Sequence, residues 1–381
     1  MSKKESHEHP EIIIPESSDL SRRSFIQTLG VAGAVAAAPM VLTTRKADAM
    51  KWPARPITGV VMYAAGGGTD TVIRTLCGEM ARTTGWPVNV INRPGSVGGV
   101  ATRYVLNKAA DGYTWLGAGN YNKFVRPMGY TDSAAWVDWQ HFAAAASLAS
   151  WSVRPDSPFK TFNDVVAAAK KKSGKLTIST SGVGSIWHEV GATVADAAGI
   201  ELRFVPYKGG KPATVAGLQG EVDIAGGGVH EHVEFLRAGK LRNLMHTGPK
   251  DLDISNYGKA YTIANFIPAL KALLPMGGMY SIALRRETPV DVLNKIKPVW
   301  VAAANSEAFG KIATRKYFQI DVRVGEAADR RAAQLECLSA ATLLKLQKHI
   351  GKKVRGPKEL GLPEPKDFDA WWPPKGYKPR I

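Results

Sequence analysis

Cysteine is nearly absent from this 381-residue chain, which holds only Cys77 and Cys337. That excludes an iron–sulfur cluster, a c-type haem attachment, a CxxC redox pair and any scaffold built on several disulfides. Each cysteine falls in an amphipathic helical pattern, which favours buried free thiols, although an oxidising compartment leaves pairing open. Negative charge is also in short supply. Asp and Glu number 33 against 50 Lys and Arg, a formal charge of +17, which suits an anionic small ligand or an acidic partner surface. The basic residues are scattered without interleaved aromatics, so nucleic acid is not an expected partner. Beyond residue 49 no apolar run reaches the roughly 18–20 residues that cross a bilayer.

Several catalytic and nucleotide signatures are missing as well. No Gly-Lys-Ser/Thr of a phosphate-binding Walker loop occurs, and the dinucleotide spacing G-x-G-x-x-G fails at Thr71, three after Gly68, and at Trp187, three after Gly184. His230-Glu231-His232 is not the zinc-protease spacing, and in a helix alternate residues diverge, so no metal site is expected there. Ser181 and Ser185 lack a nucleophile-elbow pattern, which leaves His188 without a nucleophile to serve. No cofactor, no metal and no enzymatic activity are expected.

What is present begins with an export segment. Ser21-Arg22-Arg23-Ser24-Phe25-Ile26 precedes a Gly- and Ala-rich apolar stretch from Leu29 to Leu42, and Ala47-Asp48-Ala49 closes it. Paired arginines, a mild apolar run and an Ala-x-Ala end make residues 1–49 a twin-arginine signal cleaved after Ala49. Those residues hold six acidic and six basic groups, so the mature chain keeps the whole positive excess. A periplasmic protein is expected.

From Met50 onward apolar runs alternate with helical stretches, the pattern of an α/β protein. Ile57 to Met62, Val88 to Ile91 and Thr114 to Ala118 read as strands, and Thr69 to Thr83 and Gly98 to Lys108 as the helices between them. Two loops stand out. Tyr63-Ala-Ala-Gly66-Gly67-Gly68-Thr69-Asp70 joins a strand to a helix N-terminus, and Ser181-Gly182-Val183-Gly184-Ser185-Ile186-Trp187-His188 repeats the arrangement after the strand Leu176 to Thr180. Unpaired N–H groups and the positive end of the dipole converge at such places, which therefore bind anions. Two loops facing each other across a cleft would hold a carboxylate between them.

The chain from Met50 to about Gly248 resembles the Bug-type, TctC-like periplasmic solute receptors that serve tripartite tricarboxylate transporters. The residues that carry the resemblance are Trp52-Pro53-Ala54-Arg55-Pro56-Ile57, Gly66-Gly67-Gly68-Thr69-Asp70, Val90-Ile91-Asn92-Arg93-Pro94-Gly95 with Gly98-Gly99, and Ala110-Asp111-Gly112-Tyr113-Thr114. Gly174-Lys175-Leu176, Val205-Pro206-Tyr207-Lys208-Gly209, Gly220-Glu221-Val222-Asp223 and Ala238-Gly239-Lys240-Leu241-Arg242 continue the series.

The resemblance implies a two-lobed periplasmic-binding-protein (Venus-flytrap) α/β fold, each lobe a mainly parallel sheet flanked by helices. Lobe one would hold residues 50–151 and 279–381 and lobe two residues 152–278, with Val153 at the outward crossing and Tyr280 to Leu284 on the return. The implied ligand-binding residues are Tyr63, Gly66, Gly67, Gly68, Thr69 and Asp70 from the first loop, with Asp70 orienting water or capping the helix. Ser181, Gly182, Val183, Gly184, Ser185 and His188 come from the second, and Asn120 and Gly227 from strand ends. Departures from the family pattern are Ala64-Ala65 before the glycines, Trp187, which would reshape the pocket, and the run Ala225 to Val229, which would bring more free backbone to the cleft. The implied partners are a small organic carboxylate, either a di- or tricarboxylate or an aromatic acid, and membrane transporter subunits; a monomer is expected. A periplasmic enzyme on the same scaffold, or a receptor feeding a signalling partner, are the alternatives. The tail Trp371-Trp372-Pro373-Pro374-Lys375-Gly376-Tyr377 has no counterpart and is expected to wrap onto the body through its aromatics.

Overall fold

The computed structural model describes residues 52–381, so the expected export signal and its cleavage point lie outside the described residues. The first apolar run forms β1 (Ile57–Val61) and turns through the glycines into α1 (Gly68–Thr84). Val72, Ile73, Leu76, Cys77 and Met80 recur on one face of α1 and are buried there; the helix stops at Gly85, whose left-handed φ of 72° disfavours a side chain. β2 (Val88–Asn92), α2 (Gly99–Leu106) and β3 (Thr114–Gly119) follow as the alternation predicts. β1 lies between β2 and β3 and runs parallel to both, with Ile57 opposite Val88 and Thr58 opposite Thr114.

β4 (Trp139–Ala146) stays in this sheet, but β5 (Ala149–Val153) leaves for a second one. There follow α3 (Phe162–Lys171), β6 (Thr177–Thr180), α4 (Ile186–Ala198), β7 (Arg203–Pro206), α5 (Gly210–Gln219), β8 (Ala225–Gly228), α6 (Val229–Arg237) and β9 (Arg242–His246). β5 is the middle strand of an antiparallel β8-β5-β9 sheet, while β6 and β7 pair in parallel and touch the chain leading to β8 through an Ile178–Ile224 bridge. A hairpin of β10 (Leu252–Ile254) and β11 (Gly258–Ala260) precedes the return strand β12 (Met279–Arg285). β12 enters the first sheet between β3 and β4, and β13 (Gln319–Val324), reached through α7 (Val290–Ala304) and α8 (Glu307–Lys316), completes the order β13-β4-β12-β3-β1-β2. The half β3-β1-β2 is parallel and the half β13-β4-β12 antiparallel, because β4 and β12 carry the chain out to the second sheet and back. α9 (Glu326–Lys345), α10 (Gln347–Ile350) and α11 (Phe368–Trp371) end the chain.

The change of sheet falls at Ser147-Leu148 on the way out and at Met276–Gly278 on the way back, where the Ser147 N–H donates to the Gly278 carbonyl at 2.8 Å. A Cβ on Gly277 would lie 1.8 Å from the Ser147 carbonyl oxygen, so the two crossings meet only because that residue has no side chain. The outward crossing is thus a few residues earlier than expected. Val153 lies inside β5, whose Trp151 is buried against Phe162 of α3. β8 likewise begins later than the apolar run Val222 to Ala225 would place a strand: Gly226, Gly227 and Gly228 make up most of it. A Cβ on Gly226 would sit 2.3 Å from the Ser179 carbonyl oxygen, an approach of β6 and β8 that only glycine permits.

Thr161 caps α3 in a reciprocal box with Asp164, and both cysteines are buried and free. The C-terminal tail wraps onto the body: Trp371 and Trp372 meet the Trp136 ring at 5.7 and 5.6 Å, and the Tyr377 hydroxyl donates to Asp329 at 2.9 Å. α8 begins on Ser306, whose side chain accepts from the Phe309 N–H at 3.2 Å. Ser306→Ala is expected to lower stability by about 1 kcal/mol, read as a shifted urea midpoint with an unchanged slope; an unaltered midpoint would show that the cap contributes nothing.

Candidate functional site

Loop one is held open by hydrogen bonds behind it. The Asp70 carboxylate accepts from the Gly66 N–H at 3.0 Å, from Arg74 at 2.7 Å and from Asn92 at 2.9 Å, and Asn92 also donates to the Tyr63 carbonyl. Burial works to raise the Asp70 pKa, but Arg74, the Gly66 amide and Asn92 outweigh it and hold the carboxyl below its ordinary range. Gly66 takes a left-handed φ of 80°, and Gly67 leads into α1 with no capping side chain. Asp70 is therefore a brace for the turn and does not face the space in front of it.

Loop two is shaped by packing. Gly182 and Gly184 are left-handed at φ 130° and 75°, and a Cβ on Gly184 would lie 2.3 Å from the Met128 sulfur. Ser185 is fully buried and linked to Thr180 at 3.1 Å and Ser181 at 2.9 Å. The Val183 carbonyl accepts from the Tyr130 hydroxyl at 2.9 Å. The His188 Nδ1 accepts from the Gly184 N–H at 3.1 Å, which leaves Nε2 as the protonated nitrogen that donates to the His349 carbonyl at 3.1 Å. These contacts explain why Gly182, Val183, Gly184, Ser185 and His188 do not reach the cavity.

The cavity itself is small, about 20 Å³, room for a single water. Tyr63, Gly67, Gly68 and Thr69 line it from loop one, and Ser181 with Ile186 and Trp187 from loop two and the start of α4. Asn120 adds its side chain from the end of β3. Of the expected residues, then, Tyr63, Gly67, Gly68, Thr69, Asn120 and Ser181 come together, whereas Gly66 and Asp70 brace the first loop. Gly227 lies behind the wall, under His232 and Glu231.

Five lining residues escape a reading of the sequence: Gly210, Glu231, Gly278, Tyr280 and Ile186. They come from α5, α6, the return crossing, β12 and α4, and only folding brings them together. The one available signal was the glycine run ahead of His230-Glu231-His232, which brings α6 against the cleft. The Tyr280 hydroxyl bonds Ser147 at 2.7 Å and lies 3.3 Å from His230 Nε2. Asn120, Tyr121 and Asn122 hold left-handed φ values of 56°, 53° and 58°, and Ser96 and Val97 values of 47° and 50°. Such conformations are costly for residues with side chains and concentrate at functional sites. Both segments border the cleft: Asn120 lines the cavity and accepts from the Met279 N–H at 3.1 Å, and Val97 sits under Gly182. Among the described residues no cluster of His, Cys, Asp and Glu could hold a metal.

The sequence profile of the tripartite tricarboxylate transporter family receptor matches residues 72–333. The chain belongs to that receptor family. Among its relatives, a UPF0065 protein of Cupriavidus necator is 33% identical over 235 residues, which cover 61% of the receptor and 71% of the relative. Protein BugT of Bordetella pertussis is 27% identical over 224 residues, 58% of the receptor and 65% of BugT. Among solved structures, the periplasmic binding protein BugD superposes with a TM-score of 0.69 at 23% identity over 78% of the receptor and 99% of BugD. MatC of Rhodopseudomonas palustris, solved with bound malate, has a TM-score of 0.64 at 21% identity, covering 78% and 100%. An R. palustris protein solved with adipate has a TM-score of 0.67 at 24% identity, covering 80% and 99%. The receptor has the periplasmic-binding-protein fold.

Proposed function

We propose that the protein is an exported, monomeric receptor that captures a small organic carboxylate between two lobes and delivers it to the membrane subunits of a tripartite tricarboxylate-type transporter, without catalysis. Lobe one comprises residues 50–147 and 279–381 and lobe two residues 148–278, the chain crossing at Ser147-Leu148; residues 1–49 direct export to the periplasm and are removed. The observation that carries this reading is the convergence of four helix starts on one cavity: Gly68 of α1, Ile186 of α4, Gly210 of α5 and Glu231 in the first turn of α6. α1, α4 and α5 begin without a capping side chain, so their first N–H groups and dipole ends are directed at a ligand. The malate and adipate held by the two structural neighbours support a carboxylate as that ligand.

The closed cavity admits no such molecule, so capture requires the loops to part and close again. Contacts across the cleft that favour the closed form are the Ala64 N–H to the Lys208 carbonyl at 3.1 Å and the Tyr130 hydroxyl to the Val183 carbonyl. A ligand touching both sides adds to them and shifts the population towards closure.

The test is binding by a matched pair of variants in one helix. A Cβ on Gly68 would lie 2.3 Å from His230 Nε2 and 2.4 Å from the Tyr280 hydroxyl, whereas one on Gly78 meets nothing within 4 Å. In a thermal-shift panel of mono-, di- and tricarboxylates, the unaltered protein and Gly78→Ala are expected to be stabilised by at least one acid, and Gly68→Ala by none. Equal stabilisation of both variants would remove the cavity from the binding reaction.

A further inference from the structure

A second cavity adjoins the first at Ile186, the one residue that lines both. Its volume is about 350 Å³, within the roughly 300–1,000 Å³ of small-molecule sites. Ile186, Val190 and Thr193 give one side of it, a stripe along α4, and Leu335, Leu338 and Thr342 give the facing stripe on α9. The return crossing, from Leu273 to Met279, adds a third side. From Ile186 to Asp196, the last lining residue of α4, the groove runs for about 15 Å of helix. Leu273 and Leu338 on its walls are 56% and 39% exposed, so apolar surface is left for an occupant to cover.

Charge is concentrated at one end of the groove. Lys123 has a side chain only 7% exposed, and its ammonium donates to Glu189 Oε2 at 3.1 Å. That is its one hydrogen bond among the described residues, although an ammonium carries three donors. The other Glu189 oxygen is taken by the Ser339 hydroxyl. Arg331, in the first turns of α9, donates from Nη1 to Gln334 at 2.8 Å, while its Nε is buried without a partner. Asp321, the carboxylate whose field reaches Arg331, is itself bonded to Arg323 at 2.9 Å. Burial lowers the Lys123 pKa, Glu189 offsets this only in part, and Arg331 adds to the lowering. Two cations thus share one carboxylate, an excess of one positive charge beside an apolar wall. At the other end Lys345 and Asp196 face each other at 3.5 Å and cancel. A cationic head placed in the groove would meet Lys123 and Arg331, and a neutral chain would leave their donors unmatched.

We propose that this groove is a second binding site, for a medium-chain fatty acid, with the carboxylate on Arg331 and Lys123 and the tail along Val190, Leu335 and Leu338. It lies apart from the cavity where the helix starts converge and does not depend on the reading given for that cavity.

The experiment titrates octanoate, acetate and octyltrimethylammonium calorimetrically into the whole protein, Arg331→Gln, Leu338→Asp and Gly68→Ala. Octanoate should bind the unaltered protein, acetate about a hundredfold or more weakly for want of a tail, and octyltrimethylammonium not at all. Arg331→Gln should weaken octanoate about tenfold or more, as loss of a charge-assisted hydrogen bond implies, and Leu338→Asp should do the same by placing an anion beside the tail. Gly68→Ala, which fills the first cavity, should change octanoate affinity by about twofold or less. Absence of octanoate binding overturns the proposal, as does unchanged affinity in either groove variant. Loss of octanoate binding in Gly68→Ala places the acid in the first cavity and overturns it too, and equal binding of octyltrimethylammonium shows that the cations select nothing. If Arg331→Gln or Gly68→Ala does not fold, Leu338→Asp together with the comparison of head groups decides.

Discussion

Lowering the pH from 7 to 5 is expected to remove several kcal/mol of the folding stability of this protein, because four of its histidines are buried in a form that cannot accept a proton without cost. His141, His188, His232 and His246 are each at most 2% exposed. Burial is the main reason that the pKa of each falls to about 4. Backbone carbonyls only partly offset that penalty: Ala135 at 2.7 Å from His141 Nε2, His349 beside His188 and Ala260 at 3.2 Å from His246. The unfolded chain titrates near the ordinary histidine value of about 6.5, so on acidification it takes up protons before the folded one does. The stabilising contribution is therefore complete above pH 6.5 and is lost as the pH falls towards 4.

Each histidine carries about 1.4 kcal/mol per pH unit within that window, and four together remove on the order of 8 kcal/mol over the roughly 1.5 units between pH 6.5 and 5. That lies within the whole stability of a folded protein, roughly 5–15 kcal/mol. Glu336 and Asp329, whose pKa values burial raises, act in the opposite sense, but nearer the carboxylate range. Urea titrations at pH 7 and pH 5 measure the effect, and equal midpoints at the two values would show that these imidazoles are not held neutral by the fold.

Arg126→Ala is expected to be the most damaging single substitution outside the cavity. Arg126 follows the left-handed turn at Asn120–Asn122 and bonds Glu336 of α9 at 2.8 Å, while the other Glu336 oxygen accepts from the Ala135 N–H at 3.2 Å. The Glu336 side chain has no solvent exposure. Removing the guanidinium leaves a buried carboxylate without a counter-charge, a change that costs about 3–5 kcal/mol. Burial already pushes the Glu336 pKa upward despite Arg126, so the orphaned carboxyl would take a proton as the pH falls and the penalty should shrink on acidification. The paired change Arg126→Met with Glu336→Leu removes both charges and should recover most of the loss. Urea midpoints of the two variants at pH 7 provide the check: if Arg126→Ala is neutral, or the double variant is no more stable than the single one, the pair is not what anchors α9.

Local pattern accounts well for the elements of this fold. The helix over Val290–Ala304 coincides with its amphipathic stretch, and β1, β2 and β3 agree with their apolar runs to within a residue or so. β13 has a local signature of its own: Gln319–Val324 alternates polar and apolar residues, the period-two pattern of a half-buried strand at a partly exposed sheet edge. The later start of β8 has a tertiary cause. Propensity disfavours three glycines in a strand, but the close packing of β8 on Ser179 of β6 demands them, and tertiary context prevails.

The site divides in the same way. Loop one was legible because a strand, a glycine turn and a helix start are consecutive in the chain, and the chemistry of that junction depends on its own backbone. Loop two has the same local grammar, yet most of it serves packing against Met128, Tyr130 and His349, partners more than 50 or 150 residues away in the chain in the last two cases. The sequence by itself determined the α/β alternation, the family and the first loop, all of which depend on residues near one another in the chain. Tertiary structure alone decided that Glu231, Tyr280, Gly210 and Gly278 share a wall with Gly68. Their meeting depends on β12 returning to the first sheet and on the stacking of α5 and α6, long-range closures that no local periodicity encodes.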